Sequence, residues 1–437
     1  MSLATPRKGY KSVPWLFGKE IEIPDEWEVK KCSKTLELKH GYQFRDEDFI
    51  QGGKGIKIIK IGNLKKNGSI DSNNCDIISL DRKSDFLNIV INSGDVLMAL
   101  TGATLGKIIQ VPKINEILLQ NYRVGNFFPK KDIDKNFLYY VLKNIFTQKQ
   151  IWFLVNSGAQ PNIGKEDFDK IKIICPPLPE QQKIATILSN VDNLIESTEK
   201  VITHSKKVKT GLMQKLLTRG IGHTKFKKVP WLFGKEIEIP EEWEIKNIKD
   251  IFKLKSGSTP ARTNPELFTG NIPWVTSTDL NRSTITSTIE KITEEAVTSS
   301  HLTIFSKGTF FIATYGLEAS KTRGKCGIIE MDSTCNQACM AFLPSEKMTA
   351  MFLFYFYLHF GEKIVFSIAQ GTKQQNLYSY TVGSVRLLLP PISEQQKIAS
   401  ILSNIDDKIT SQEKYKEKLE KLKKSLMQKL LTGEVRV

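Results

Sequence analysis

Internal repetition constrains the fold of this chain more than any other feature of its sequence. Residues 13–28 read VPWLFGKEIEIPDEWE, and residues 229–244 repeat this stretch at 15 of 16 positions. The range 176–193 returns at 390–407 with 13 of 18 positions identical, and LMQKLLT occurs at both 212–218 and 426–432. The offsets are 216 and 214 residues, so the 437 residues are predicted to form two tandem copies of one unit.

The similarity is concentrated at the edges of each unit. Between residues 40–155 and their counterparts at 255–370 only short motifs match, such as SGDVLMALTG from Ser93 and SKGTFFIATYG from Ser306. Both stretches alternate apolar runs with Gly and Asn turns, which predicts a strand-rich α/β domain in each. A chain that keeps its frame while its two middles diverge is expected to act on two different targets.

The second repeated block predicts a long helix in each unit. Pro176 and Pro177 precede the first block, and Glu180 places negative charge in its opening turn, as helix starts favour. Gly220 and Gly433 are predicted to end the two helices, which gives each about 40 residues, or ~60 Å. An apolar seam with alternating spacings of four and three runs through Ile184, Leu188, Val191, Ile195, Thr198 and Ile202.

The order of the blocks sets the predicted architecture. The seam favours a two-helix coiled coil, although a surface helix on its own domain fits the same pattern. Helices packed side by side would run antiparallel, and the C-terminus would return near the N-terminus. The predicted fold class is therefore α+β: two similar strand-rich α/β domains (1–175 and 221–389) joined by two long antiparallel coiled-coil helices (176–220 and 390–437), a tandem internal repeat with circular pseudo-two-fold symmetry.

Charge indicates an anionic partner. The chain has 63 Lys and Arg against 47 Asp and Glu, a formal net charge of +16, which makes nucleic acid the first candidate. Eight basic residues lie between 201 and 234, and the first acid after residue 201 is Glu236. We therefore consider Lys206, Lys207 and Lys209 as phosphate contacts, with a solvated helix face as the alternative. The C-terminal basic run is interleaved with Glu413, Glu417 and Glu420, which favours a solvated face there.

Motifs of catalysis and of membrane insertion are not found. The sequence contains no P-loop, no GxGxxG and no HExxH, so we expect no active site and no metal site in this chain. Cys326, Cys335 and Cys339 are interpreted as buried thiols rather than zinc ligands. The longest apolar run, residues 348–360, is shorter than the ~20 residues of a bilayer span and is interpreted as a buried helix. Six scattered cysteines predict a reducing cytoplasm.

Three paired motifs in the same order carry a family resemblance. They are the openings IPDEWE and IPEEWE, the helix starts PPLPEQQKIA and PPISEQQKIA, and the two LMQKLLT helix ends. With these motifs the chain resembles, over essentially its whole length, the DNA-specificity (S) subunit of type I restriction–modification systems.

The resemblance implies a function and a set of partners. Each strand-rich domain would be a target-recognition domain that reads one half of a split double-stranded DNA target through the major groove, and the helices would fix the spacing. Modification methyltransferase subunits, expected to number two, would dock on the helices, and a restriction/translocase subunit would join them. The chain would be non-catalytic, with SAM, ATP and Mg²⁺ bound by partners. Because the two domains differ, the target would be asymmetric.

Candidate DNA-contacting residues are the polar side chains of turn-rich segments at matching places in the two domains. Bases are read by Arg, Lys, Asn, Gln, Ser and Thr, and phosphates by Lys and Arg; a turn former or a solvated side chain is the alternative at every position. In the first domain the candidates are Lys60, Asn63, Thr101, Thr104, Lys107, Gln120, Asn121, Arg123, Gln160, Asn162 and Lys165. In the second they are Thr276, Ser277, Thr278, Asn281, Tyr315, Lys321, Arg323, Lys373, Gln374, Gln375 and Asn376.

Two other functions stay open. A self-sufficient DNA enzyme would need a catalytic constellation hidden in the strand-rich domains. A coiled-coil adaptor that does not touch DNA would show an affinity for DNA that does not fall with salt.

Overall fold

The computed structural model describes residues 6–52, 54–65, 68–155, 161–316, 322–369 and 376–437. They form two compact units, one made of Met1–Thr198 with Tyr415–Val437 and the other of Glu199–Lys414. Each unit holds one strand-rich domain and parts of two long helices. We call residues 1–175 head 1 and residues 221–389 head 2.

Head 1 is built mainly from short strands. They are β1 (Tyr10–Pro14), β2 (Glu20–Pro24), β3 (Glu28–Lys31), β4 (Leu36–His40), β5 (Ile56–Ile59), β6 (Asp76–Ile78), β7 (Val90–Ile91), β8 (Val96–Ala99), β9 (Ile108–Gln110), β10 (Leu118–Gln120), β11 (Val124–Pro129) and β12 (Lys172–Cys175). The helices are α1 (Cys32–Thr35), α2 (Lys135–Lys143), α3 (Ile145–Leu154) and α4 (Lys165–Phe168), followed by the long α5 (Leu178–Arg219).

Head 2 has a similar order of elements, with one additional short helix and one larger helix. Its strands are β13 (Phe226–Pro230), β14 (Glu236–Pro240), β15 (Glu244–Asn247), β16 (Leu254–Ser256), β17 (Ile272–Val275), β18 (Ser283–Ile285), β19 (Glu290–Ile292), β20 (Phe310–Ala313), β21 (Cys326–Ile329), β22 (Thr334–Cys335), β23 (Cys339–Phe342) and β24 (Arg386–Leu389). The helices are α6 (Ile248–Ile251), α7 (Glu294–Ser299), α8 (Ala350–Ile368) and α9 (Ser379–Gly383), followed by the long α10 (Ile392–Thr432).

Each head contains two larger sheets. In head 1 their strand orders are β6-β5-β10-β7 and β4-β11-β8-β9, and in head 2 they are β16-β23-β20-β21-β18 and β19-β17-β22. One parallel pair occurs at matching places, β5 with β10 and β17 with β22. The predicted strand-rich α/β character and the α+β class are therefore confirmed. Buried apolar side chains such as Val96, Met98 and Phe127 form the core of head 1, as the all-apolar β8 predicts.

The first repeated block folds as a hairpin followed by a clasp. In head 1, β1 pairs antiparallel with β2 across a turn at Gly18, whose φ of 70° requires glycine. The next strand, β3, pairs antiparallel with β12, so the part of head 1 between these strands begins and ends at one two-stranded sheet. Head 2 has the same hairpin, β13–β14, and the same clasp, β15–β24.

The clasps are closed by equivalent backbone hydrogen bonds. Cys32 N donates to Ile171 O at 2.7 Å, and Ile248 N donates to Val385 O at 2.9 Å. These positions bound the part of each head whose sequence has diverged. The repeated edges thus form one frame that carries two different inserts.

The repeated EQQ residues fasten each head to the start of its long helix. Gln181 Oε1 accepts from Asp134 N at 3.0 Å, and its Nε2 donates to Pro176 O at 2.8 Å. Gln395 makes the matching bonds, accepting from Thr349 N at 2.9 Å and donating to Pro390 O at 2.8 Å. Both glutamines are buried, so these bonds are costly to lose.

The long helices end where the sequence predicts. The helix α5 has 42 residues and α10 has 41. Gly220 and Gly433 follow their last residues with φ of 64° and 75°, the left-handed conformation of a helix stop. Along the predicted seam Ile184, Leu188 and Ile202 are buried, which confirms an apolar stripe.

An Asp–Lys–Tyr triad connects a head helix to the two long helices in each unit. In the first unit, Asp192 accepts from Tyr140 Oη at 2.9 Å and from Lys423 Nζ at 2.5 Å. Burial and the Asp192 charge raise the pKa of Tyr140 well above its usual range, so the phenol remains a donor.

The second unit repeats the triad with the helices exchanged. Asp406 on α10 accepts from Tyr355 Oη at 3.0 Å, and Lys209 on α5 pairs with it at 2.6 Å. Burial again raises the pKa of the tyrosine, Tyr355. In each unit the triad ties one head helix to both long helices.

The apolar run in head 2 is a core helix. Among the described residues, α8 is the one helix long and apolar enough to cross a membrane. Phe352, Phe356 and Val365 on this helix are fully buried in head 2, which confirms the interpretation as a buried helix. The helix has 19 residues, more than the run 348–360 indicates, because the apolar face continues past Glu362 and Lys363 to Ile364 and Val365.

Candidate nucleic-acid interface

Four loops meet at one place in head 1. Gly102 N donates to Pro161 O at 2.8 Å, and Ile163 N donates to Leu100 O at 3.1 Å, so the loop after β8 lies against the loop before α4. Asn121 N donates to Ile59 O at 3.1 Å, which joins the loops after β5 and β10. We call these segments, 60–65, 100–107, 120–123 and 161–165, loop cluster 1.

The same backbone contacts recur in head 2. Leu377 N donates to Thr314 O, and Asn336 N donates to Val275 O, both at 2.9 Å. The segments 276–281, 314–316, 322–325, 335–338 and 376–378 form loop cluster 2. Tyr42 N donates to Gln120 O in head 1 and Ser258 N donates to Cys335 O in head 2, both at 3.1 Å. The two heads therefore bring matching loops together through matching bonds.

Two glycines allow the closest approach within these clusters. A Cβ on Gly41 would lie 1.9 Å from Gln120 O, and one on Gly257 would lie 1.7 Å from Cys335 O. No side chain fits at such distances, so glycine is required at both positions.

A lysine side chain donates a hydrogen bond to a backbone carbonyl inside each cluster. Lys107 Nζ donates to Leu64 O at 2.7 Å, and Lys325 Nζ donates to Ser277 O at 3.2 Å. The two lysines occupy equivalent positions, since their carbonyls accept from Ala99 N and Ala313 N, each at 3.0 Å. Lys107 was predicted as a DNA contact, and in the free protein its ammonium group binds the backbone.

Several predicted contact residues are buried and hold the loops in shape. Asn63 accepts from Lys60 N at 2.9 Å and donates to Asn74 O at 2.9 Å. Gln120 donates to Val124 O at 2.7 Å, and Asn121 accepts from Arg123 N at 3.2 Å. Asn63, Gln120 and Asn121 are each at most 7% exposed.

Other predicted residues are paired but partly accessible. Lys60 forms an ion pair with Asp76 and lies 4.6 Å from the centre of the Phe49 ring. Thr276 Oγ1 donates to Asp279 at 2.7 Å. Thr101 and Thr104 are half-buried, and their hydroxyls have no hydrogen-bond partner in the described part of the chain; the same holds for Asn376 Oδ1.

The remaining described candidates lie at the surface. Arg123 stacks its guanidinium 5.2 Å from the Tyr122 ring centre. Ser277 and Arg323 are half-buried. The exposed candidates of the two clusters are Arg123, Asn162, Lys165, Thr278, Asn281 and Tyr315. Gln160, Lys321, Lys373, Gln374 and Gln375 lie outside the described residues.

The lysines of α5 have acidic neighbours that sequence proximity does not reveal. Lys206 Nζ lies 2.7 Å from Glu413, and Lys209 Nζ lies 2.6 Å from Asp406. Arg219 pairs with Glu238 at 2.8 Å. The unbalanced positive charge inferred from the sequence is therefore partly balanced by carboxylates from α10 and β14. Lys207 is exposed.

Sequence reasoning missed some members of the clusters. Tyr42 and Ser258 lie next to loop clusters 1 and 2, to which their backbone N–H groups donate. Asn336 is the counterpart of Asn121, since its side chain accepts from Ala338 N at 3.1 Å. Aligning LLQNYR with STCNQA, from Ser333, would have found Asn336.

The described residues contain no group of three or more His, Cys, Asp or Glu side chains able to hold a metal. Cys326, Cys335 and Cys339 are buried. Burial raises the pKa of Cys326 and of Cys335 to about 12, so these thiols stay protonated. They pack as small apolar side chains, as the sequence predicts.

The sequence matches a known protein family and several named proteins. The family model described as type I restriction modification DNA specificity domain matches residues 24–204 and 240–421. The type I restriction enzyme MjaVIII specificity subunit of Methanocaldococcus jannaschii is 28% identical over 443 residues, 95% of each chain. The type I restriction enzyme EcoR124I/EcoR124II specificity subunit of Escherichia coli is 27% identical over 244 residues, 54% of this chain and 55% of that one.

Two solved structures have a similar fold. The crystal structure of a type I restriction-modification system S subunit from M. genitalium gives a TM-score of 0.58 at 16% identity and covers 93% of this chain and 96% of that chain. A chain from a study of complex assembly and conformational transition of the type I R-M system gives 0.52 at 16% identity, with 94% and 99% covered.

Proposed function

Because this chain belongs to the family of type I restriction–modification DNA specificity domains, we propose that it is the DNA-recognition and scaffold subunit of such a complex. Each head reads one half of a bipartite double-stranded DNA target. The proposed role is that of a non-catalytic specificity subunit, and its named relatives are specificity subunits of type I restriction enzymes.

One observation carries the proposed mode of recognition. The two loop clusters share their backbone hydrogen bonds but present different side chains. Lys60 in cluster 1 matches Thr276 in cluster 2, and Arg123 matches Ala338. Since base edges are distinguished by the donors and acceptors placed against them, two matching frames with different side chains are suited to an asymmetric target.

The accessible side chains of the clusters are the proposed readers. Arg123, Asn162 and Lys165 in head 1 and Thr278, Asn281 and Tyr315 in head 2 are exposed. Asn63, Gln120, Asn121 and Lys107 support the loops from within, and a DNA contact by them stays a prediction. Lys207 remains the accessible candidate for phosphate contact on α5.

We propose the division into heads (1–175 and 221–389) and spacer helices (176–220 and 390–437), with the helices packed as an antiparallel coiled coil. Ion pairs within the units support the direction. In the second unit, Lys206 and Lys209 ascend along α5 while their partners Glu413 and Asp406 descend along α10. The exchanged triads, with aspartate on α5 in one unit and on α10 in the other, support a pseudo-two-fold relation.

The chain ends support a circular arrangement. In the second unit, α5 ends at Gly220 and the chain continues into β13 at Phe226. In the first unit, α10 ends before Gly433, and Tyr10 of β1 donates its hydroxyl to Gly433 O at 2.8 Å. A hairpin therefore lies at the end of a long helix in both units.

A circular permutant tests this arrangement. Joining residue 437 to residue 6 through a short Gly-Ser linker and opening the chain at Gly220 should give a soluble protein with a cooperative unfolding transition, because the new break repeats the native one. A permutant opened within α5 at Ser197 is the control and should be destabilised, because it interrupts a helix. Circular dichroism and urea unfolding measure both. If the Gly220 permutant is no better than the control, the circular arrangement is wrong.

The partners follow from the same family assignment. We propose that two modification methyltransferase subunits and a restriction/translocase subunit assemble on this chain, and that they bind the SAM, ATP and Mg²⁺ of the complex. This would take place in the cytoplasm.

DNA binding by the pure chain is the direct test of function. Binding to DNA that carries the target should weaken about a thousand-fold between 50 and 200 mM salt if about six phosphates are contacted. Fluorescence anisotropy across a salt series measures this. An affinity that does not change with salt would favour a coiled-coil adaptor. Methylation or cleavage of DNA by the chain with SAM and Mg²⁺ would favour a self-sufficient enzyme.

A further inference from the structure

Each head carries an open groove at its hairpin. Groove 1 lies between the hairpin β1–β2 and the clasp β3–β12 and has a volume of about 510 Å³. Groove 2 lies at the same place in head 2, between β13–β14 and β15–β24, with a volume of about 430 Å³. Neither groove includes residues of the loop clusters.

The floors of the two grooves are apolar and nearly identical. Trp27 in groove 1 and Trp243 in groove 2 are fully buried below the surface. Val13 and Pro14 match Val229 and Pro230, and Val29 matches Ile245. The valine, proline and isoleucine side chains are half-buried or exposed, so they offer apolar surface to a ligand.

The rims of the grooves are mainly basic, with one acidic residue in each, Glu28 in groove 1 and Asp250 in groove 2. Lys11 matches Lys227, and Lys172 matches Arg386. In groove 1 the clasp also places Lys31 directly opposite Lys172 across the strand pair, where like charges repel. Within the described residues, neither Lys31 nor Lys172 forms an ion pair. Glu28, the acid of this rim, is paired with Lys30 at 2.9 Å.

The repeat preserves surface as well as core. Pro14, Lys19 and Glu20 are exposed, and their counterparts Pro230, Lys235 and Glu236 are identical and exposed. Packing within the chain does not require exposed residues to match, and the rim cations at 172 and 386 lie outside the 16-residue repeat. A ligand that binds one copy at each head would require both the matching exposed residues and the matching rim cations.

We propose that each groove receives an acidic segment with apolar side chains from a methyltransferase subunit, so that one copy docks at each head. This rests on the proposed function, which supplies a partner in two copies. The basic rim complements the acidic residues and the apolar floor takes the apolar side chains. A DNA backbone has no apolar group of this kind, so the floor favours a protein segment.

Charge reversal in one groove at a time tests the proposal. The variants are Lys11→Glu with Lys172→Glu for groove 1, and Lys227→Glu with Arg386→Glu for groove 2, in the full chain. The probe is the purified methyltransferase subunit of the same system. Size-exclusion chromatography with light scattering should show two subunits bound to the wild type and one to each variant. Titration should show at least a tenfold weaker affinity at the changed head.

Matched controls separate charge from position. Lys83→Glu with Lys113→Glu in head 1, and Lys253→Glu with Lys291→Glu in head 2, change the net charge equally at exposed sites away from the grooves. These controls should bind two subunits. If charge reversal unfolds the hairpin, the neutral pair Lys11→Gln with Lys172→Gln replaces it as the test of groove 1. The neutral pair should weaken binding less than charge reversal does.

The outcomes distinguish this inference from the proposed function. Groove variants that bind two methyltransferase subunits as tightly as the wild type would overturn the inference alone. So would a tenfold loss of DNA affinity in groove variants that still bind both subunits, because the grooves would then be DNA sites. A wild-type chain that binds no methyltransferase subunit would overturn the scaffold function itself.

Discussion

Replacing the insert of head 1 with that of head 2 should convert the DNA target into two copies of one block. The exchange substitutes residues 248–385 for residues 32–171. Both junctions lie at the clasp hydrogen bonds from Cys32 N and Ile248 N, so the frame is unchanged. Loss of the original side chains of cluster 1 should lower the preference for the first block about a thousand-fold or more, the usual margin between specific and non-specific binding.

Mapping methylated sites in cells that carry the complete system measures this outcome. The reciprocal chimera, with residues 32–171 in place of 248–385, is the matched control and should duplicate the other block. With antiparallel helices the duplicated blocks should be inverted relative to each other. If either chimera alters both blocks, the heads do not read independently. If neither alters the target, the loop clusters do not read DNA.

Removing the Glu180 carboxylate should cost about 1–3 kcal/mol of the free energy of unfolding of the first unit, as expected when a buried donor loses its hydrogen-bond partner. The side chain of Glu180 is 7% exposed. It accepts from Trp27 Nε1 at 2.9 Å and from Arg436 Nε at 3.0 Å. Hydrogen bonds to Glu180 and Glu26 raise the pKa of the Arg436 guanidinium. Glu180→Ala leaves the buried Trp27 donor without an acceptor.

Urea unfolding followed by circular dichroism measures this change. Glu26→Ala removes the other carboxylate paired with Arg436. The Glu26 side chain is 65% exposed, so its loss should cost less than about 1 kcal/mol. Glu394→Ala tests the second unit, where Glu394 accepts from Trp243 Nε1 at 2.9 Å and from His223 Nε2 at 2.9 Å. Equal costs for Glu26→Ala and Glu180→Ala would contradict a role for burial.

Features with a local or repeated signature could be predicted from the sequence. The long helices, their glycine ends and the strand-rich middles follow from periodicity and turn residues. The repetition of the EQQ motif also has a local structural explanation, since Glu180 and Gln181 connect the start of the long helix to its head by hydrogen bonds. The clasp between β3 and β12 could not be predicted, because its strands are more than 140 residues apart and each is only four residues long.

The sequence predicts that the candidate residues lie in loops, whereas it does not predict which of their side chains are buried. The segments after β5, β8 and β10 do meet in head 1. Polarity alone does not separate Asn63 and Gln120, which bond to the backbone, from Arg123, which is exposed. The basic run on α5 has no acidic neighbours in sequence because its partners Glu413 and Asp406 are about 200 residues away. Local charge counts miss such partners.

The discontinuity of the first unit has a consequence for synthesis on the ribosome. Its residues up to Thr198 are made before the whole second unit, Glu199–Lys414, and Tyr415–Val437 come last. At roughly 5–20 residues per second this interval lasts on the order of ten to forty seconds. Throughout it, the core that later buries Leu430 and Leu431 is incomplete, and Glu180 lacks Arg436. The nascent chain thus exposes apolar surface of its first unit until Tyr415–Val437 emerges.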